Sequence, residues 1–155
     1  MTAQHLPSTD YPDVRRGDRM FEYMRLRVAE TPYLDSDAEW KIVDQAVFQW
    51  GIMPHDAKCF LNGAAVVDGF STETLTLRAL RGVAAGLERS GRISRNSFKL
   101  MIDAAVGLSN GALSQEAAAA LCRRACDAEA LLPARRGLSR SRRWYRAVGA
   151  TGASA

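Results

Sequence analysis

A chain of 155 residues with 47% hydrophobic and 25% charged side chains can bury one core without metal or disulfide staples. No apolar run approaches the roughly 20 residues needed to cross a bilayer, and the opening MTAQHLPSTDYPDVRRGD has no secretory apolar region, so the expected address is cytoplasmic. The formal charge of +4 is unevenly placed: residues 133–155 hold six arginines and no acid, leaving 15 basic and 17 acidic side chains before them.

In chain order, residues 1–16 are polar, contain Pro7 and Pro12, and read as a flexible leader. Residues 17–132 read as a helical domain. A first helix is expected from Asp18 to Glu30, with Phe21, Met24 and Val28 at helical spacing. The turn Thr31-Pro32-Tyr33-Leu34-Asp35 follows, because Pro32 disfavours helix at the residue before it. Ser36 and Glu39 have capping-box spacing, and the helix they open carries Trp40, Val43, Val47 and Trp50 on one stripe before Gly51 ends it. Pro54 suits the first position of a third helix, whose expected face is Ala57, Phe60, Leu61, Ala64 and Val67.

The segment from Phe70 to Leu77 is threonine-rich and strand-like in composition. A lone strand has nothing to pair with, so Ser71 or Thr72 is read as the cap of a helix to about Arg89, with Leu80, Val83, Ala84 and Leu87 inward. Ser94 opens another helix, in which Phe98, Met101, Ile102, Ala105 and Val106 give the cleanest amphipathic pattern of the chain. After Ser109-Asn110-Gly111, an alanine-rich helix from Leu113-Ser114 to about Ala130 presents Ala117, Ala118, Leu121, Cys122 and Ala125. Its alanines point to close approach between neighbouring helices. The expected fold is all-α: a compact bundle of six to seven helices, the seventh around Trp144-Tyr145.

An internal pseudo-twofold duplication is also expected. A shift of 79 residues places Leu34 on Leu113, Ala46 on Ala125 and Pro54 on Pro133, and keeps the apolar phase between them. The two turns that open these units are Glu30-Thr31-Pro32-Tyr33-Leu34-Asp35-Ser36-Asp37-Ala38-Glu39 and Ser109-Asn110-Gly111-Ala112-Leu113-Ser114-Gln115-Glu116. A doubled turn of this kind between helices resembles the TerB-like family, an all-helical group named for tellurite resistance proteins, whose turn reads roughly Ala-Asp-Gly-x-Ile-Asp-x-x-Glu. The resemblance covers about residues 18–132. It implies a non-enzymatic interaction or stress-response module. Family members are thought to hold metal through the acids of that turn. Here the turn aspartate is replaced by Asn110 and Thr31, and the glutamate falls on Ala117 and Ala38. No metal site is therefore carried over, and no cofactor is expected.

Residues that could carry chemistry are few. Asp35, Asp37, Glu39 and Asp44 cluster, but acids are favoured in a first helical turn by the macrodipole, and the spacing is not that of a calcium loop. Cys122 and Cys126 lie four apart and read as small buried thiols. His55 precedes Cys59 by four, although a nucleophilic thiol also needs an oriented base. A phosphate loop, a GxSxG elbow and paired-cysteine zinc spacing are not seen.

The most distinctive segment is the basic tail, 133–155. Arg135, Arg136, Arg140, Arg142, Arg143 and Arg146 suit phosphate, and Trp144 or Tyr145 could stack on an unpaired base. The tail is thus the expected contact for nucleic acid or another anionic partner, a membrane surface included. The opposing expectation is that it is solvated, or folds back on the mildly acidic body through Trp144. A protein partner and a homodimer complete the expected associations.

Overall fold

The computed structural model describes residues 12–29, 32–87, 91–134 and 144–145. Six α-helices account for most of them: α1 Pro12–Val28, α2 Ser36–Trp50, α3 Pro54–Asp68, α4 Glu73–Leu87, α5 Arg95–Leu108 and α6 Gln115–Ala128. Four strands of two residues lie between them: β1 Tyr33–Leu34, β2 Ser71–Thr72, β3 Arg92–Ile93 and β4 Leu132–Pro133. The all-α expectation holds. Trp144 and Tyr145 are also helical.

The strands correct one expectation. Ser71–Thr72 is not alone: it pairs in parallel with Tyr33–Leu34, while Arg92–Ile93 pairs with Leu132–Pro133. Thr72 still caps α4, its hydroxyl accepting from the Leu75 N–H at 3.2 Å. Two other boundaries move. Helix α1 begins at Pro12, so residues 12–16 of the expected leader are helical; Pro is well suited to that first position. The N-cap of α2 is Asp35 and not Ser36, with Asp35 Oδ1 accepting from the Ala38 N–H at 2.8 Å. The expected Ser36–Glu39 box does not form, because the Glu39 carboxylate is engaged elsewhere.

Two hydrophobic cores result. One gathers Met20 and Met24 of α1, Leu34, Ile42, Val43 and Ala46 of α2, Ala57, Leu61, Ala64 and Ala65 of α3, and Phe70. The other gathers Leu80 and Ala84 of α4, Ile93, Phe98, Met101 and Ala105 of α5, Leu131, Tyr145, and six residues of α6 from Ala118 to Cys126. Each lobe has the order helix, strand, helix, helix, strand.

The chain is therefore repeated, in a register other than the expected one. Leu34 corresponds to Ile93, Ile42 to Met101 and Ala46 to Ala105 between α2 and α5; Ala57 corresponds to Ala118, Leu61 to Cys122, Ala64 to Ala125 and Ala65 to Cys126 between α3 and α6. All of these residues are buried. Asp35 and Ser94 are equivalent N-caps, each accepting from the backbone N–H three residues on. The shift of 79 would instead superpose α2 on α6, the second long helix of one lobe on the third of the other. It followed the apolar phase, which every amphipathic helix shares.

Two helix faces meet expectation only in part. In α2 the buried positions are Glu39, Ile42, Val43 and Ala46, while Trp40 is half exposed. In α3 Ala57, Leu61, Ala64 and Ala65 are buried, and Phe60 and Val67 face outward. In α6 the expected alanines Ala118 and Ala125 are buried, Ala117 is only partly so, and Ala119, outside the expected face, is buried as well.

Candidate functional site

Charged groups at the junction of the lobes are arranged as exchanged caps. Each of α2 and α4 opens with free backbone N–H groups that need acceptors. Glu39, in the first turn of α2, accepts from the Thr74 N–H at 2.8 Å and the Thr74 hydroxyl at 2.5 Å, both at the start of α4. Glu73, at the start of α4, accepts in return from the Ser36 N–H of α2 at 3.2 Å. The other oxygen of Glu73 receives the Arg124 guanidinium from α6. Further bonds cross the same junction: the Ser71 hydroxyl donates to the Leu108 carbonyl, and the Asn110 amide to the Gly69 carbonyl at 3.3 Å. Burial raises the Tyr33 phenol well above its ordinary pKa, and the negative charges of Glu73, Glu39 and Asp35 push the same way. The acidic cluster expected near Asp35 is thus divided between a cap and a bond across the lobes.

A second feature is a cleft between α1 and α3, which run side by side in the same direction. Phe21 meets Phe60 edge-to-face with centroids 6.4 Å apart, and Arg25 lies 3.5 Å from Asp68. Beyond these contacts opens a cleft of about 420 Å³ lined by Asp18, Phe21, Glu22, Arg25, Val67 and Asp68. Its lining holds three carboxylates against one guanidinium, with Phe21 and Val67 as its apolar members. Large apolar side chains are exposed mainly in this lobe. Phe48 is 87% exposed, Val66 and Val67 are each 78% exposed, and Trp40, Met53 and Phe60 are open to a lesser extent. Scattered apolar side chains are normal on a surface; their concentration on α2 and α3 is what marks this one.

Of the residues expected in the basic tail, Arg135, Arg136, Arg140, Arg142, Arg143 and Arg146 lie outside the described residues. Trp144 and Tyr145 are described, and they pack back onto the second lobe. Their rings meet Phe98 at 5.7 and 5.6 Å and each other at 5.5 Å, all edge-to-face. The Tyr145 hydroxyl donates to Asp127 Oδ1 at 2.8 Å, and Trp144 Nε1 to the Ala134 carbonyl at 3.4 Å. Burial first, and then the bond to Asp127, raises the Tyr145 pKa. Tyr145 is 6% exposed, so its ring offers no open face for a base in this arrangement.

The cysteines separate as expected for Cys122 and Cys126, both buried; Cys59 is exposed. Burial, with a smaller contribution from Cys126, pushes the Cys122 thiol up to about 12. At pH 8 the native chain is expected to give up one thiol to a disulfide reagent, and all three after denaturation, as followed by thiolate release. Fast reaction of two or three thiols in the native chain would contradict this packing. Cys59 Sγ lies 3.8 Å from His55 Nε2 on the outer side of α3, and the Lys58 ammonium sits over the Trp40 ring at 3.8 Å. Among the described residues no group of three or more His, Cys, Asp and Glu converges as a metal site, and no helix is long and apolar enough to cross a membrane.

Sequence reasoning missed the cleft and the exchanged caps. Val67, expected inward, is exposed, and nothing in the spacing of Asp18, Glu22 and Asp68 joins α1 to α3. Glu39 is expected as a cap of its own helix and Glu73 carries no expectation; the partners of both belong to the other lobe. No protein-family model, curated protein or solved structure matches this chain.

Proposed function

We propose that this chain is a non-enzymatic, TerB-like helical interaction module, of the kind that serves stress responses in the cytoplasm, and that its partner is a protein segment docking in the α1–α3 cleft. The observation that carries this reading is the cleft itself, where Phe21 and Val67 lie among the carboxylates of Asp18, Glu22 and Asp68. Such a surface suits a basic segment with one apolar anchor, since the carboxylates steer the charge and Phe21 and Val67 cover the anchor. The TerB-like part of the proposal rests on the sequences of the two turns, which open α2 and α6 and are not equivalent in the observed repeat. Val67 is exposed, so Val67→Asp leaves the core intact. Affinity capture from the producing cell is expected to lose a protein partner with Val67→Asp and keep it with Leu100→Asp, a change at another exposed position, in the other lobe. Retention by both variants would end this assignment.

The second reading is nucleic-acid binding through the six tail arginines. Their number and the lack of acids from 133 onward favour it. The clean variant changes these arginines to glutamine and keeps Trp144 and Tyr145, because cutting the chain at Leu132 would also uncover Phe98. Salt-sensitive binding to single-stranded oligonucleotides that disappears in this variant, read by fluorescence anisotropy, would support the tail. Equal binding by both forms would remove it.

A further inference from the structure

We infer that His55 and Cys59 form half of a tetrahedral zinc site, completed by the same two residues of a second copy of this chain. Zinc bound by a thiolate at about 2.3 Å and an imidazole nitrogen at about 2.0–2.1 Å places the two donor atoms roughly 3.5 Å apart in a tetrahedron. Cys59 Sγ and His55 Nε2 stand 3.8 Å apart on successive turns of α3, so a small rotamer adjustment closes a two-point chelate without moving the backbone.

The surroundings suit a cation. Asp56 lies beside His55 in the first turn and offsets the positive end of α3. The Lys58 ammonium is directed away onto the Trp40 ring. Both ligands are exposed, in contrast with the buried Cys122 and Cys126.

One chain brings only two ligands here, whereas zinc in a structural site takes four. A twofold axis through the metal supplies the other pair, because a symmetric dimer repeats the same patch on both copies. Val66, two turns beyond Cys59 on the same side of α3, and the exposed Met53 before it provide apolar area that such an approach covers. Each Cys59 thiol gives up its proton to solvent on binding, and both His55 rings bind neutral. Two protons are released per zinc, and the two thiolates balance its charge.

The test is zinc chloride titrated into the full chain, with mass followed by light scattering and coordination by cobalt(II) substitution. Saturation is expected at half an equivalent of metal, with the mass doubling from 17.0 kDa and cobalt bands typical of a tetrahedral sulfur–nitrogen site. Cys59→Ser and His55→Ala should each abolish the doubling with helix content retained by circular dichroism, since both positions are exposed. His5→Ala should leave it intact. An unchanged mass with zinc, saturation at one equivalent by a monomer, or doubling that survives Cys59→Ser would each overturn the inference.

Discussion

Glu39→Ala is expected to lower the unfolding free energy by about 2–3 kcal/mol, because it removes a charged acceptor that serves two donors of α4 in a buried setting. The loss is larger than that of an exposed cap, which is typically about 1 kcal/mol. Glu39→Gln keeps the shape and one acceptor, and should lose about half as much. Urea denaturation of the three forms checks this. An effect below about 0.5 kcal/mol for Glu39→Ala would mean that water replaces the carboxylate at Thr74. The exchanged partner, Glu73, should behave similarly, since it serves Ser36 and Arg124.

The second large effect concerns the two cores. Leu61→Ala in the first lobe and Met101→Ala in the second should each cost about 2–5 kcal/mol, the range for emptying a fully buried aliphatic position. The caps exchanged between α2 and α4, and the bonds from Ser71 and Asn110 across the junction, are expected to couple the unfolding of the two lobes. Leu61→Ala is therefore expected to shift the transition reported by Trp144, which packs on Phe98 in the other lobe. The experiment uses a chain in which Trp40 and Trp50 are phenylalanine, so that fluorescence reports the second lobe alone. An unshifted Trp144 transition would show lobes that unfold independently.

These cores explain why the fold was largely legible and the surface was not. Helices α3, α5 and α6 announced themselves through Pro54, Ser94 and Ser114, each a local signal whose physics is complete within a few residues. The phase of α2 was harder. Ala38, Trp40, Ile42, Val43, Ala46, Val47, Phe48 and Trp50 spread apolar groups around the whole helix, and size favoured a stripe through the tryptophans. The structure buries Val43 of that stripe together with Ile42 and Ala46 and admits Glu39 among them, because Thr74 of the other lobe pairs with it. A buried acid at an apolar position is readable only once its distant partner is known.

The short strands fail for the same reason. Two residues carry no periodicity, and Tyr33–Leu34 becomes a strand only because Ser71–Thr72 lies beside it. The repeat was detected in kind and missed in register. The true equivalences pair three alanines with alanines, but the offset changes from 59 residues between α2 and α5 to 61 between α3 and α6, which a shift without a gap does not follow. Core positions conserve volume and burial across a whole lobe more than they conserve residue type. The cleft has no linear signature, since its acids come from α1 and from the end of α3.

The measurement that tests the central reading most directly is site-specific photocrosslinking in the producing cell, with a photoreactive side chain placed at Val67 or, as a control, at Leu100. Both positions are well exposed, and only the first borders the acidic cleft. An interaction module of the kind proposed should yield a discrete protein adduct from position 67 and none from position 100. Adducts from position 100 alone, or none from position 67, would contradict it.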